Sequence, residues 1–110
     1  MSEGAQPGLG LADVLGDAAE GVEGISRSDA AGGTSWSTGG VVFATVSGQG
    51  AEFRLDPVVA SAARRTPDTA ASSRGDDWVA FRPGELDEHA IDRAEAWFES
   101  AHRRAVRGAR

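Results

Sequence analysis

The chain has 110 residues, 17 acidic and 11 basic, for a formal net charge of −6, and this length leaves room for one domain around a single core. All 11 basic residues are Arg, while Lys, Cys, Tyr and Asn are absent. Without cysteine there is no disulfide framework, zinc knuckle, thiol nucleophile or redox pair, and the 20 Ala and 15 Gly fit the coding bias of a GC-rich genome better than selection at single sites.

No apolar run approaches the roughly 18 residues of a membrane span. The start, MSEGAQPG, has neither the basic opening nor the apolar stretch of a signal peptide. A cytoplasmic protein with no membrane partner is expected. Residues 1–8 are small and polar with a Pro, the composition of a disordered segment; one domain is expected over 9–106 and a basic tail over 107–110. Leu11, Val14, Leu15, Ala18 and Ala19 repeat at helical spacing, which predicts a helix over 9–19 closed by Gly21 and Gly24.

From Gly24 the rhythm becomes that of strands. Residues 25–29 and 34–37 flank Ala30-Ala31-Gly32-Gly33, read as a hairpin turn, and 41–46 is a β-branched and aromatic run. Ser47-Gly48-Gln49-Gly50 supplies the next turn. In the strand that follows, Phe53 and Leu55 point to one side and Glu52 and Arg54 to the other. Asp56-Pro57 should start a helix over 58–64, with the Asp carboxylate accepting from orphan N–H groups and Pro at the first helical position.

Residues 65–77 (RTPDTAASSRGDD) hold no large apolar side chain and are rich in turn formers, so a loop is predicted. Trp78-Val79-Ala80-Phe81 reads as the last strand, closed by Pro83-Gly84. Leu86, Ala90, Ile91, Ala94, Trp97, Phe98, Ala101 and Ala105 then repeat at helical spacing over about five turns. The order of elements predicts an α+β fold with N-terminal, middle and long C-terminal helices.

This order resembles the MmcQ/YjbR-like family of small bacterial proteins over roughly residues 9–106. The resemblance rests on Val42-Phe43-Ala44-Thr45-Val46, on residues 51–57 (AEFRLDP), where a strand runs into an Asp-Pro helix start, and on Trp78-Val79 after the polar segment. It implies a curved antiparallel sheet of about four to five strands, the double wing, and a suggested role in DNA binding. The family often carries a Ser-Tyr pair near its end; this chain has Trp97-Phe98-Glu99-Ser100 there and no Tyr, so nothing tied to that Tyr carries over.

Candidate chemistry is sparse. His89 and His102, thirteen positions apart on one helix, are rotated by roughly 220° and cannot share a metal. Asp76, Asp77, Glu85, Asp87 and Glu88 cluster, but their spacing matches no calcium loop, and Asp87 and Glu88 suit the positive end of a helix dipole. No serine sits in a nucleophile elbow, and the Gly pairs lack a phosphate-loop pattern. No catalytic residue, metal or cofactor is therefore expected. The weakest reading is a hydrolase using loop carboxylates among Asp68, Asp76 and Asp77 with His89.

Charge is uneven along the chain. The whole acidic excess lies in the first 60 residues, while the second half is balanced and ends in Arg103, Arg104, Arg107 and Arg110. Arg103, Arg104 and Arg107 are the candidate nucleic-acid contacts, disfavoured by an acidic total, since phosphate neutralisation normally needs a basic domain. A second surface follows from strand alternation: with Phe53, Leu55, Val79 and Phe81 on the core face, Trp78 and Arg82 share the other face with Glu52 and Arg54. Trp78, Arg54, Arg82, Arg74 and Asp76 are thus the candidate surface for an unknown protein or small ligand. A chain this poor in large apolar residues can hardly leave Trp78 open, which argues for its being covered by the closing helix or the polar segment. The expected function is a noncatalytic accessory or binding protein, with DNA binding as the alternative.

Overall fold

The computed structural model describes residues 10–48 and 50–108; the segment 1–8 and Arg110 lie outside the described residues. Helix α1 (Leu11–Glu20) leads into strands β1 (Ser26–Ala30), β2 (Gly33–Thr38), β3 (Val41–Ser47) and β4 (Gly50–Arg54). Helix α2 (Pro57–Ala63), strands β5 (Thr69–Ser72) and β6 (Gly75–Phe81), and helix α3 (Glu88–Gly108) follow. The fold is mixed α+β: three helices flank one six-stranded sheet of order β1-β2-β3-β4-β6-β5, antiparallel at every pairing. No helix among the described residues is long and apolar enough to cross a membrane.

Cross-strand register builds the core face in two rows. Trp36, Ala44, Phe53 and Val79 are successive partners across β2, β3, β4 and β6, and Val46, Ala51 and Phe81 form the row beside them. Phe43 joins this face through a break in register: Trp36 pairs with Ala44 but Ser37 pairs with Val42, so the ladder skips Phe43. Such a bulge turns the extra residue toward the side its neighbour already faces, and both Phe43 and Ala44 are fully buried. The hairpin between β2 and β3 turns on Gly39 and Gly40, both at positive φ (58° and 82°), the primed turn whose twist matches that of paired strands.

Helix α3 lies over β2, β3 and β4, and α1 packs on it. Its 21 residues make a rod about 32 Å long. The buried stripe Ala90, Ala94, Phe98, Ala101 and Ala105 faces the sheet; its small side chains let the axis approach closely, and Phe98 fills the space between. The ring of Phe98 meets Trp36 edge-on at 5.5 Å and Phe43 at 5.2 Å, while Trp97 packs edge-on against Phe81 at 5.0 Å. Asp87 stands just before the helix and caps it, its carboxylate accepting from the Ala90 N–H at 2.9 Å.

Two expectations are corrected. The sheet has six strands instead of four to five, because residues 65–77 are not a loop: they contain β5 and the start of β6, an edge hairpin. An edge strand needs no apolar alternation, since its outer side faces water, and Ala70 and Ala71 are both exposed. The second correction concerns Asp56. It stands at the N-cap of α2 with Pro57 behind it, yet makes no side-chain cap bond. Its carboxylate instead turns to Arg104 (3.2 Å) and Arg107 (2.8 Å) of α3, because two guanidiniums offer stronger partners than orphan amides.

Candidate functional site

The structure separates the residues grouped by sequence into two places. Arg54, at the end of β4, gives its Nε–H to Asp77 Oδ2 at 2.9 Å, and Arg104 Nη1 lies 3.1 Å from the same oxygen. Arg104 also reaches Asp56, which Arg107 shares. The result is an alternating chain, Arg54, Asp77, Arg104, Asp56, Arg107, that ties β4, β6, the start of α2 and the end of α3 together. It borders a cavity of about 210 Å³ lined by Val41, Phe43, Ala101 and Ala105 together with Arg54 and Arg104. Two of the three candidate nucleic-acid arginines are thus engaged with carboxylates; Arg103 is exposed and, among the described residues, has no such partner.

The other place is the outer face of the sheet. Here one cross-strand row runs Ser28, Ser35, Thr45, Glu52, Ala80 and Ala70 from edge to edge. Every member is small except Glu52, so the row is a trough, and three adjoining depressions of about 240, 320 and 570 Å³ lie along it. Their walls come from strands and turns alone. Arg74, in the β5–β6 turn, leans back over this face: its Nε–H donates to Glu52 Oε1 at 2.8 Å and its guanidinium lies 5.3 Å from the centre of the Trp78 ring. Ser72 donates to the other oxygen of Glu52.

Trp78 is therefore not a free stacking face. It pairs with Arg54 in the ladder and is only 8% exposed, and what covers it includes Arg74 of the hairpin turn. Arg54 itself departs from the outer face that alternation assigns it, because at the strand end its guanidinium turns to Asp77 beside Arg104 of α3. A cation over an indole face is attractive, so the ring serves to hold Arg74 in place. Arg82 is exposed, its stem crossing the backbone at Gly50 so closely that a Cβ there would lie 2.8 Å from Arg82 Cγ. Among the described residues its guanidinium has no carboxylate partner. Asp76 is exposed, and its carbonyl accepts from Arg64. Alternation already placed Glu52 on this surface; sequence reasoning missed Thr45 and Ser72, which only the row across the sheet and the hairpin turn bring to it.

The remaining acids do not assemble. Asp77 is held by two guanidiniums, Asp68 lies beside Arg82 at the start of β5, and His89 is exposed on the first turn of α3. His102 sits two-thirds of the way along α3, its ring edge-on to Phe43 at 5.4 Å. Among the described residues no three metal-ligating side chains gather.

Both embedded carboxylates are shifted. The hydrogen bond from Arg54, aided by the charge of Arg104, holds Asp77 below the usual carboxylate range against a partial burial that pushes it up. Burial pushes Glu52 up more strongly, but the bonds from Ser72, Arg74 and Thr45 together outweigh it and leave the group lowered. A folded pKa below the unfolded one stabilises the protein fully above about pH 4 and is lost as pH falls through the folded value. Asp77→Asn is accordingly expected to flatten the acid limb of stability against pH, measured by urea unfolding at intervals below pH 5. An unchanged slope would show that the Asp77 pairing contributes nothing.

No family model matches the chain and no curated protein matches it. A crystal structure of a protein from Pseudomonas syringae, a structural-genomics target, is similar with a TM-score of 0.58 at 11% identity, over 81% of this chain and 93% of that one. At that identity the likeness extends to the fold alone.

Proposed function

We propose that this chain is a noncatalytic binding protein of the MmcQ/YjbR-like type, a cytoplasmic double-wing domain whose contact surface is the trough on the outer face of the sheet. The observation that carries this reading is the exposed side chain of Arg82 lining a trough of mostly small side chains, with Arg74, which lines the same depression, held by Trp78 and Glu52. A row of small side chains admits an extended or flat group close to the sheet. An arginine with no carboxylate partner among the described residues supplies the charge that would orient a carboxylate or similar anion on a protein partner or small ligand. The acids that a hydrolase would need are dispersed or already paired, and a nucleic-acid surface at the end of α3 retains Arg103 while Arg104 and Arg107 are engaged.

Arg82→Ala tests the reading. The residue is exposed, so unfolding free energy should change by less than about 1 kcal/mol, while partner capture from native cell extract should fall roughly tenfold or more. Capture that is indifferent to Arg82 rules out the trough. Capture that disappears on nuclease treatment favours the nucleic-acid alternative instead.

A further inference from the structure

Strand β1 is one edge of the sheet, and all five of its residues are exposed. Its pair Ala30 and Gly33 closes a two-residue loop, so these two exchange backbone hydrogen bonds, and by alternation Ser28 with Ser35 and Ser26 with Ser37 do the same. The backbone N–H and C=O groups of Arg27 and Asp29 therefore point the other way, at the open edge. Their side chains share one face, with Arg27 Nε 3.0 Å from Asp29 Oδ1. An edge of this kind accepts another strand, and charges along it decide which one.

We propose that β1 pairs antiparallel with β1 of a second copy of this chain, across a two-fold axis at Ser28. That centre sets Arg27 opposite the partner's Asp29 and Asp29 opposite the partner's Arg27, and these are the residues whose backbone groups are free to form the ladder. The four side chains then alternate in sign around the axis. Centring the pair on Arg27 sets two guanidiniums face to face, and centring it on Asp29 sets two carboxylates face to face; both cost energy. A one-residue slip of the pairing mismatches the backbone groups and puts side chains on opposite faces. The same charges that deter unrelated strands thus admit one register of self-pairing, an isologous contact. Ser28 also ends the trough row, so the pairing joins two troughs end to end. It does not depend on the ligand reading, since it rests on the edge of β1 and its test uses no ligand.

The short strand predicts a reversible dimer, with a sedimentation mass rising from 11.3 kDa toward twice that value as concentration approaches about 100 μM. Because the chain has no cysteine, single thiols read the register directly. At Ser28 the two copies meet at a non-hydrogen-bonded pair with Cα atoms about 4.5 Å apart, a span a disulfide can bridge. Ser28→Cys should link to itself on mild oxidation. Ser26→Cys and Ala30→Cys should each stay unlinked alone and join when mixed. Asp29→Arg should abolish the dimer, and Arg27→Asp combined with Asp29→Arg should restore it, with far-UV circular dichroism confirming that each variant is folded. A chain that remains monomeric at the highest concentration with Ser28→Cys unlinked overturns the proposal, as does Ser26→Cys linking to itself as fast as Ser28→Cys.

Discussion

Phe98→Ala is expected to lower the unfolding free energy by about 3–5 kcal/mol, enough to remove much of the stability of a domain this small. Phe98 is the one large side chain on the fully buried stripe of α3 that is otherwise alanine. Its ring is 1% exposed and contacts both Trp36 and Phe43. The surrounding alanines have no bulk with which to close the gap, and the helix cannot sink further onto the sheet without displacing Trp36. Truncation therefore leaves a cavity along with the lost transfer energy. In urea the midpoint should fall by about 2 M. Ala96→Ser on the exposed side of the same helix is the control and should shift it by less than about 0.5 kcal/mol. A loss under 1 kcal/mol for Phe98→Ala would mean that α3 does not pack on the sheet through this residue.

Gly33→Ala is the second large effect. Gly33 opens β2 at φ +139°, and a Cβ placed there would lie 2.0 Å from the carbonyl oxygen of Val46 on β3. The obstacle is backbone, so no side-chain rotation relieves it. Either the turn between β1 and β2 moves or the ladder between β2 and β3 opens at Thr34 and Val46. Strain of about 1–3 kcal/mol for the backbone conformation adds to about 1–3 kcal/mol for the overpacking, so a loss near 4 kcal/mol is expected. Gly40→Ala separates the two contributions: it too has a positive φ, +82°, but nothing lies within 4 Å of the added atom, and only the conformational part should remain. Equal losses at the two positions, measured by thermal or urea unfolding, would rule out the close approach to Val46.

Much of the fold was legible in local pattern. Helix α3 was plain because eight apolar positions repeat at one period, and β4 because Phe53 and Leu55 alternate with Glu52 and Arg54. The turns between β1 and β2 and between β3 and β4 were readable from turn chemistry. The edge strand β5 was not, because Thr69, Ala70, Ala71 and Ser72 have no core face to advertise and sit among residues that favour turns. Phe43 could not be assigned to the core from alternation, since a bulge changes the parity of β3 at that point. Trp78 shows both sides: alternation puts it on the outer face, where it stands, while its cover comes from Arg74 four residues earlier through the return of the hairpin.

The acidic total with which the chain begins acquires a different meaning once pairing is known. Composition established the absence of cysteine and arginine as the main cation, and short-range periodicity the mixture of helices and strands, because these depend on counts and local spacing. Which arginines remain available depends on contacts between segments far apart in the chain. Arg104 and Arg107 meet Asp56, some fifty residues away, and Arg74 meets Glu52 across two strands, whereas Arg82 has no such partner among the described residues. Charge pairing is set by distance in space, and the sheet order that brings β4 beside β6 and α3 beside the start of α2 is a property of the folded chain as a whole.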